Sequence, residues 1–214
     1  MATTLKNKFD SIIFDLDGTL WDSAVAVAEA WQNTKLQVDY IKEDITPQIV
    51  ESIAGMTYDA IFEKLFPYVN AEQREQFKNQ CGKMELEVLG QKGGILYPQL
   101  QETLEYLADN YKLFVVSNCQ SGYIEIFLET SKLGDYFAGH QCYGTKNQPK
   151  AENIKDIVND HALKAPVYVG DTQGDYDSST KAGVPFIFAA YGFGTVNGEP
   201  TAVIDTFNDL VNIL

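Results

Sequence analysis

The sequence predicts an α/β fold, a doubly wound Rossmann-like parallel sheet with an α-helical cap domain inserted into it. Three observations lead there. Short apolar runs, SIIFD (11–15), KLFVVSN (112–118), YFAGHQCY (136–143), PVYVGD (166–171) and PFIFAAY (185–191), mostly lack period-two alternation, as strands covered on both faces do. Between these runs QLQETLEYLADN (99–110), GYIEIFLETSKL (122–133) and AENIKDIVNDHAL (151–163) carry apolar residues three and four apart, so strand and helix alternate. Residues 22 to 90 then break that rhythm, with helical spacing and no strand pattern.

Taken in order, SIIFD is the first strand and runs straight into a polar stretch, DLDGT. The spacing predicts insert helices over 23–37, 47–53, 57–66 and 71–89, punctuated by Pro47, Gly55 and Pro67. The chain returns to the core through Gly90 to Pro98, where Gly90, Gly93 and Gly94 suit either a hinge or a plain flexible loop. The division is therefore a core of 1–21 and 91–214 and a cap of 22–90. A chain of 214 residues is long enough for one substantial core carrying a smaller insert.

Composition narrows the partners. With 45% hydrophobic and 21% charged residues, this is an ordinary folded globular chain. Its 30 acids against 16 Lys and Arg give a net charge of −14, which argues against a nucleic-acid surface and disfavours an anionic membrane. Cys81, Cys119 and Cys142 are odd in number and form no CxxC pair, as in a reduced compartment. MATTLKNKFD has no apolar leader core, so a cytoplasmic protein, monomeric or weakly dimeric, is expected.

Chemistry gathers at the predicted strand ends, where open α/β sheets bind ligands. The first strand ends in Asp15-Leu16-Asp17-Gly18-Thr19, the second in Ser117-Asn118 and the fourth in Gly170-Asp171-Thr172-Gln173-Gly174-Asp175, while Lys150 sits just before a core helix. Several carboxylates at one edge repel each other unless a cation or protons offset them. All-oxygen donors without His or Cys favour Mg2+ over zinc. Ser117, Lys150 and free backbone amides around Gly18 and Thr19 are what a dianionic phosphoryl group requires. An aspartate can also act as a nucleophile, and a second one as acid and base.

DLDGT, Ser-Asn after an apolar strand, a lysine and GDxxxD, in that order, resemble the haloacid dehalogenase superfamily of phosphohydrolases. The phosphoglycolate phosphatase-like and β-phosphoglucomutase-like branch is the most similar, and the resemblance spans nearly the whole chain. It implies a Mg2+-dependent phosphatase acting on a small phosphorylated metabolite through an aspartyl phosphate. By the same resemblance Asp15 would be nucleophile and metal ligand, and Asp17 acid/base and a metal ligand through its backbone carbonyl. Gly18, Thr19, Ser117, Asn118 and Lys150 would bind phosphate, Asp171 would complete the metal site and Asp175 would support it.

Two departures stand out. Lys150 is followed by alanine where many relatives have proline, so Lys146 and Lys155 are rivals, and its place directly before a helix favours Lys150. Mutases of the superfamily usually carry a histidine early in the cap, and SAVAVAEAW has none, which leaves phosphoryl transfer as the alternative to hydrolysis. A non-catalytic phosphate-binding module, the alternative of another class, would not need the intact Asp15, Asp17, Lys150 and Asp171.

Other polar residues read as structural. Asp10 and Asp177 suit solvated or capping roles, Asp22-Ser23 caps the first cap helix, His140 and His161 fall outside the motifs, and Gly192-Phe193-Gly194 is a turn. Trp21, Trp31, Tyr58, Phe62 and Phe66 mostly fit core spacing. Gly55-Met56-Thr57, at a helix break, is the candidate for the loop that touches the substrate.

Overall fold

A computed structural model describes residues 5–214. In chain order the elements are β1 (Ser11–Phe14), β2 (Trp21–Asp22), α1 (Ala24–Lys35), α2 (Pro47–Glu51), α3 (Tyr58–Leu65), α4 (Ala71–Lys92), β3 (Ile95–Leu96), α5 (Leu100–Ala108), β4 (Lys112–Ser117), α6 (Tyr123–Ser131), β5 (Phe137–Cys142), α7 (Tyr143–Lys146), α8 (Lys150–Asp160), β6 (Pro166–Gly170), α9 (Gln173–Ala182), β7 (Phe186–Ala189), β8 (Ala202–Ile204) and α10 (Leu210–Ile213).

Six strands form one sheet in the order β5-β4-β1-β6-β7-β8, and every adjacent pair is parallel. The central strands explain the missing alternation in sequence. Ile12, Phe14, Leu113, Val115, Val167 and Val169 face one buried cluster, while Ile13, Phe114, Val116 and Tyr168 face the other. Both faces are covered, so every position in these strands favours an apolar residue. β8 follows the Gly- and Pro-containing segment NGEPT and is only three residues long, too short for its periodicity to show in sequence.

From β1 the chain builds outward through β4 and β5, then crosses back to place β6 on the other side of β1. The order therefore reverses at β1, and the carboxyl ends of β4, β1 and β6 lie side by side.

Helices α1 to α4 lie between β2 and β3, whose antiparallel pairing joins the two crossings of the chain. Phe62 anchors an aromatic cluster, with ring centroids 5.1 Å from Trp31, 5.9 Å from Phe66 and 6.0 Å from Phe77. Asn70 caps α4, its side-chain oxygen accepting from the Gln73 amide at 2.9 Å.

The return segment differs from expectation at Gly90. The helix continues through it to Lys92, because no side chain or turn interrupts the hydrogen-bond ladder there. Gly93, at φ +67°, ends α4, and Gly94 packs so close to the Trp21 ring that a Cβ would lie 2.7 Å from it. The glycines thus serve a helix, a stop and a close contact rather than one loop.

Candidate active site

Beyond β1 the chain turns tightly through Gly18, which needs φ +84°. A Cβ on Gly18 would lie 2.2 Å from the Asp171 carboxylate, so this close approach of two strand ends depends on glycine. The Gly18 amide donates to the Trp21 carbonyl at 2.9 Å and the Thr19 amide to that of Leu16 at 3.2 Å. These two amides are committed to closing the turn and are not free for a phosphoryl group as the sequence suggested. The Thr19 hydroxyl donates to Asp171 Oδ1 at 3.3 Å, so this buried residue braces a carboxylate.

Asp15, Asp171 and Asp175 come together, with one carboxylate oxygen of each within 4.8 Å of the others, and all three are buried. Asp175 is tied into the N-terminus of α9, where Thr172 and Asp175 cap each other reciprocally. Asp171 Oδ2 accepts from the Phe193 amide at 2.8 Å. The Gly192-Phe193 turn is therefore part of the site.

Lys150 lies at the first position of α8, where the helix dipole disfavours a cation. Two carboxylates offset that, since its Nζ donates to Asp15 at 2.8 Å and to Asp175 at 2.5 Å. Lys146 and Lys155, the sequence rivals, instead pair with Asp156 and Glu152 at the surface. Burial works against the Lys150 ammonium, but Asp15 and Asp175 hold its pKa well above the usual lysine value.

Burial and the neighbouring Asp175 push the Asp15 carboxyl up to about 7, against the pull of Lys150. Asp171 is raised well above the carboxylate range by burial and then by Asp175 and Asp15. One ammonium thus faces three buried carboxylates, so the cluster retains excess negative charge. Its donors are hard oxygens, which fits a hard divalent cation.

Asp17 points elsewhere. Its Oδ1 receives Trp21 Nε1 at 2.9 Å, the Ser23 hydroxyl at 2.5 Å and the Tyr123 hydroxyl at 2.9 Å. Burial raises its pKa while these three donors oppose the rise. Ser23 was expected to cap α1, yet it makes no side-chain cap bond, and Asp22 Oδ1 instead accepts from the Ala24 amide at 2.9 Å. Asp22 does what was assigned to the pair, and Ser23 serves Asp17.

A cleft opens in front of Asp15 and Asp17, with about 80 Å³ of room, enough for a small organic group. Ser117 at the end of β4 and Asn118 just after it line the cleft, with Val27, Trp31, Ile53, Gly55, Met56, Tyr58 and Glu85 from the helical side. Asn118 Nδ2 donates to the Gly55 carbonyl at 2.7 Å, while its buried Oδ1 has no partner. Gly55 and Met56 thus reach the cleft, whereas Thr57 is the N-cap of α3 and does not line it.

Some residues stay outside. Asp10 sits at the far end of β1, accepting from Ser11 and the Lys164 amide, and Asp177 bonds Gln173 at the surface. Neither histidine lines the cleft, and the His161 ring rests 4.6 Å from Phe114. Among the described residues no helix is long and apolar enough to cross a membrane.

A family model described as haloacid dehalogenase-like hydrolase matches residues 12–189. The phosphoglycolate phosphatase of Aquifex aeolicus is 31% identical over 212 residues, covering 95% of each chain. That of Aliivibrio fischeri is 26% identical over 219 residues, again covering 95% of each. Among solved structures, a predicted phosphoglycolate phosphatase from Haemophilus somnus superposes with a TM-score of 0.85 at 23% identity, covering 97% of this chain and 99% of that one. That last likeness is one of fold.

Proposed function

Because the chain belongs to the haloacid dehalogenase-like hydrolase family and is a phosphatase of its phosphoglycolate phosphatase-like branch, we propose that it hydrolyses a small phosphomonoester with Mg2+ through an aspartyl phosphate on Asp15. The observation that carries this reading is the convergence of Asp15, Asp171 and Asp175 on one point with Lys150 against two of them.

Asp15 and Asp171 would hold the cation, with the Asp17 backbone carbonyl, and Asp175 would support them, its own oxygens being engaged by Lys150 and Thr172. When bound, Mg2+ supplies the positive charge that offsets these carboxylates and the phosphoryl oxygens. Lys150 occupies Asp15 Oδ1, which leaves Oδ2 to attack phosphorus. As the new P–O bond forms, the ester P–O bond breaks and the leaving oxygen takes the proton of Asp17.

Asp17, now a carboxylate, takes a proton from the water that displaces phosphate and restores Asp15. Trp21, Ser23 and Tyr123 hold its Oδ1, so Oδ2 is the oxygen left to carry the proton. Ser117, Asn118 and Lys150 bind the transferring group, and the unpartnered Asn118 Oδ1 is open to a donor on the substrate. Helices α1 to α4 form a cap over the cleft that reads the organic part and excludes bulk water. Among the described residues no histidine lines the cleft, which favours water over a sugar hydroxyl as acceptor.

Purified protein with Mg2+ is expected to release phosphate from simple alkyl phosphates and to stop on chelation. Silence across a broad panel of phosphomonoesters would sink the reading. Asp17→Asn tests the acid separately. In single turnovers its rate of alcohol release from alkyl phosphates should fall about 10²- to 10⁴-fold, the usual worth of a positioned acid. Release of p-nitrophenol, a leaving group that needs no proton, should slow far less in that same first step, and equal losses in it would remove Asp17 as the acid.

A further inference from the structure

We propose that the leaving group read by this cleft is a small alcohol bearing a positive charge and no anion, so that the substrate is the phosphomonoester of an amino alcohol. The inference rests on the phosphatase reading above and specifies its substrate class.

The part of the cleft away from Lys150 holds Val27, Ile61, Trp31, Tyr58, Tyr123 and Glu85. No lysine, arginine or histidine lines it among the described residues. The chain has a single arginine, Arg74, whose guanidinium donates to the carbonyls of Val69 at 2.9 Å and Phe66 at 3.5 Å. Among the described residues no cationic side chain is therefore positioned to pair with a carboxylate or a second phosphate on the leaving group.

Glu85 gives the opposite signal. It is 3% exposed and its carboxylate is fixed by three neutral donors: Trp31 Nε1 at 2.6 Å and the Tyr58 hydroxyl at 3.1 Å on Oε2, and Gln120 Nε2 at 3.1 Å on Oε1. A carboxylate has about four lone-pair sites, so room for another donor remains. It makes no ion pair among the described residues, although a buried carboxylate is ordinarily paired with a cation. Burial accordingly pushes its carboxyl up to about 7.

The Trp31 and Tyr58 rings pack edge to face, 6.2 Å apart at 78°, and both turn their polar hydrogens to Glu85, which fixes its carboxylate at the cleft. An anionic leaving group would lie between the carboxylates of Asp17 and Glu85.

Three esters with two-carbon leaving groups separate these cases: phosphoethanolamine, ethyl phosphate and phosphoglycolate, assayed at pH 8 with Mg2+ beside p-nitrophenyl phosphate. Phosphoethanolamine should exceed phosphoglycolate in kcat/KM on the order of 100-fold, the scale of a buried like-charge contact, with ethyl phosphate between them. Glu85→Gln should narrow that ratio at least about tenfold. Because the ratio is taken within one protein, partial misfolding does not disturb it.

Phosphoglycolate turnover equal to or above that of phosphoethanolamine overturns the inference and leaves the phosphatase reading standing. So does a ratio that Glu85→Gln leaves unchanged. No turnover of any of the four esters overturns this inference, and the broad phosphomonoester panel decides the phosphatase reading separately.

Discussion

Asp15→Asn is expected to lower turnover by about 10⁴-fold or more, the scale seen when a covalent nucleophile is removed. The amide is nearly isosteric and can still accept from Lys150, so the fold and the substrate's KM should change little. What it lacks is an anionic oxygen able to form the acyl phosphate. Its raised pKa, caused by burial and Asp175, does not weaken the assignment, because a cation beside the carboxylate would favour its ionised form. Substantial remaining activity, measured as single-turnover phosphate release, would contradict a covalent route through this residue.

Lys150→Met is expected to cost stability as well as activity. The ammonium is buried between Asp15 and Asp175, and removing one partner of a buried ion pair typically costs about 3–5 kcal/mol, since the remaining charges lose their compensation. Relief of the unfavourable position at the α8 N-terminus returns only about 0.3–1 kcal/mol, so the loss prevails. For a chain of this size the melting temperature should fall by roughly 10 °C. The deficit should shrink at acid pH, where the orphaned carboxylates take up protons, and an unchanged melting temperature at pH 8 would contradict the electrostatic account.

The site's central residues were legible in sequence for a simple reason. Asp15, Ser117 and Asp171 each terminate or follow a continuous apolar strand, and parallel topology brings those ends together. The strand and helix boundaries also follow closely, because residues buried on both faces leave an unbroken apolar signature. Lys150 was legible only by its place before a helix, and its two ion pairs separate it from its rivals by burial, which sequence does not carry.

Other parts were hidden by two-fold meanings. Ser23 before a helix reads as a cap, and only the third dimension turns its hydroxyl toward Asp17. The Thr172 to Asp175 spacing is a capping box, so Asp175 had a local signal that accounts for its orientation. Gly192-Phe193 reads as a turn and is one, but its amide holds Asp171.

Glu85 lay within a charged helical stretch and reads as a surface residue. The signal was there: it follows Cys81 by four and precedes Val88 by three, on the stripe of α4 that is buried. The Gly18 and Thr19 amides could not be judged beforehand, because a turn's internal hydrogen bonds depend on φ values that the sequence does not state.

The central claim is that phosphate passes through Asp15. Rapid acid quenching of the Mg2+-loaded protein during turnover, followed by mass spectrometry of the peptide containing residues 11–23, tests it directly. The account predicts that this peptide gains one hydroxylamine-labile phosphoryl group, on Asp15, and that Asp15→Asn gains none. Turnover of the ester without any such adduct, or an adduct carried by a different residue, would contradict it.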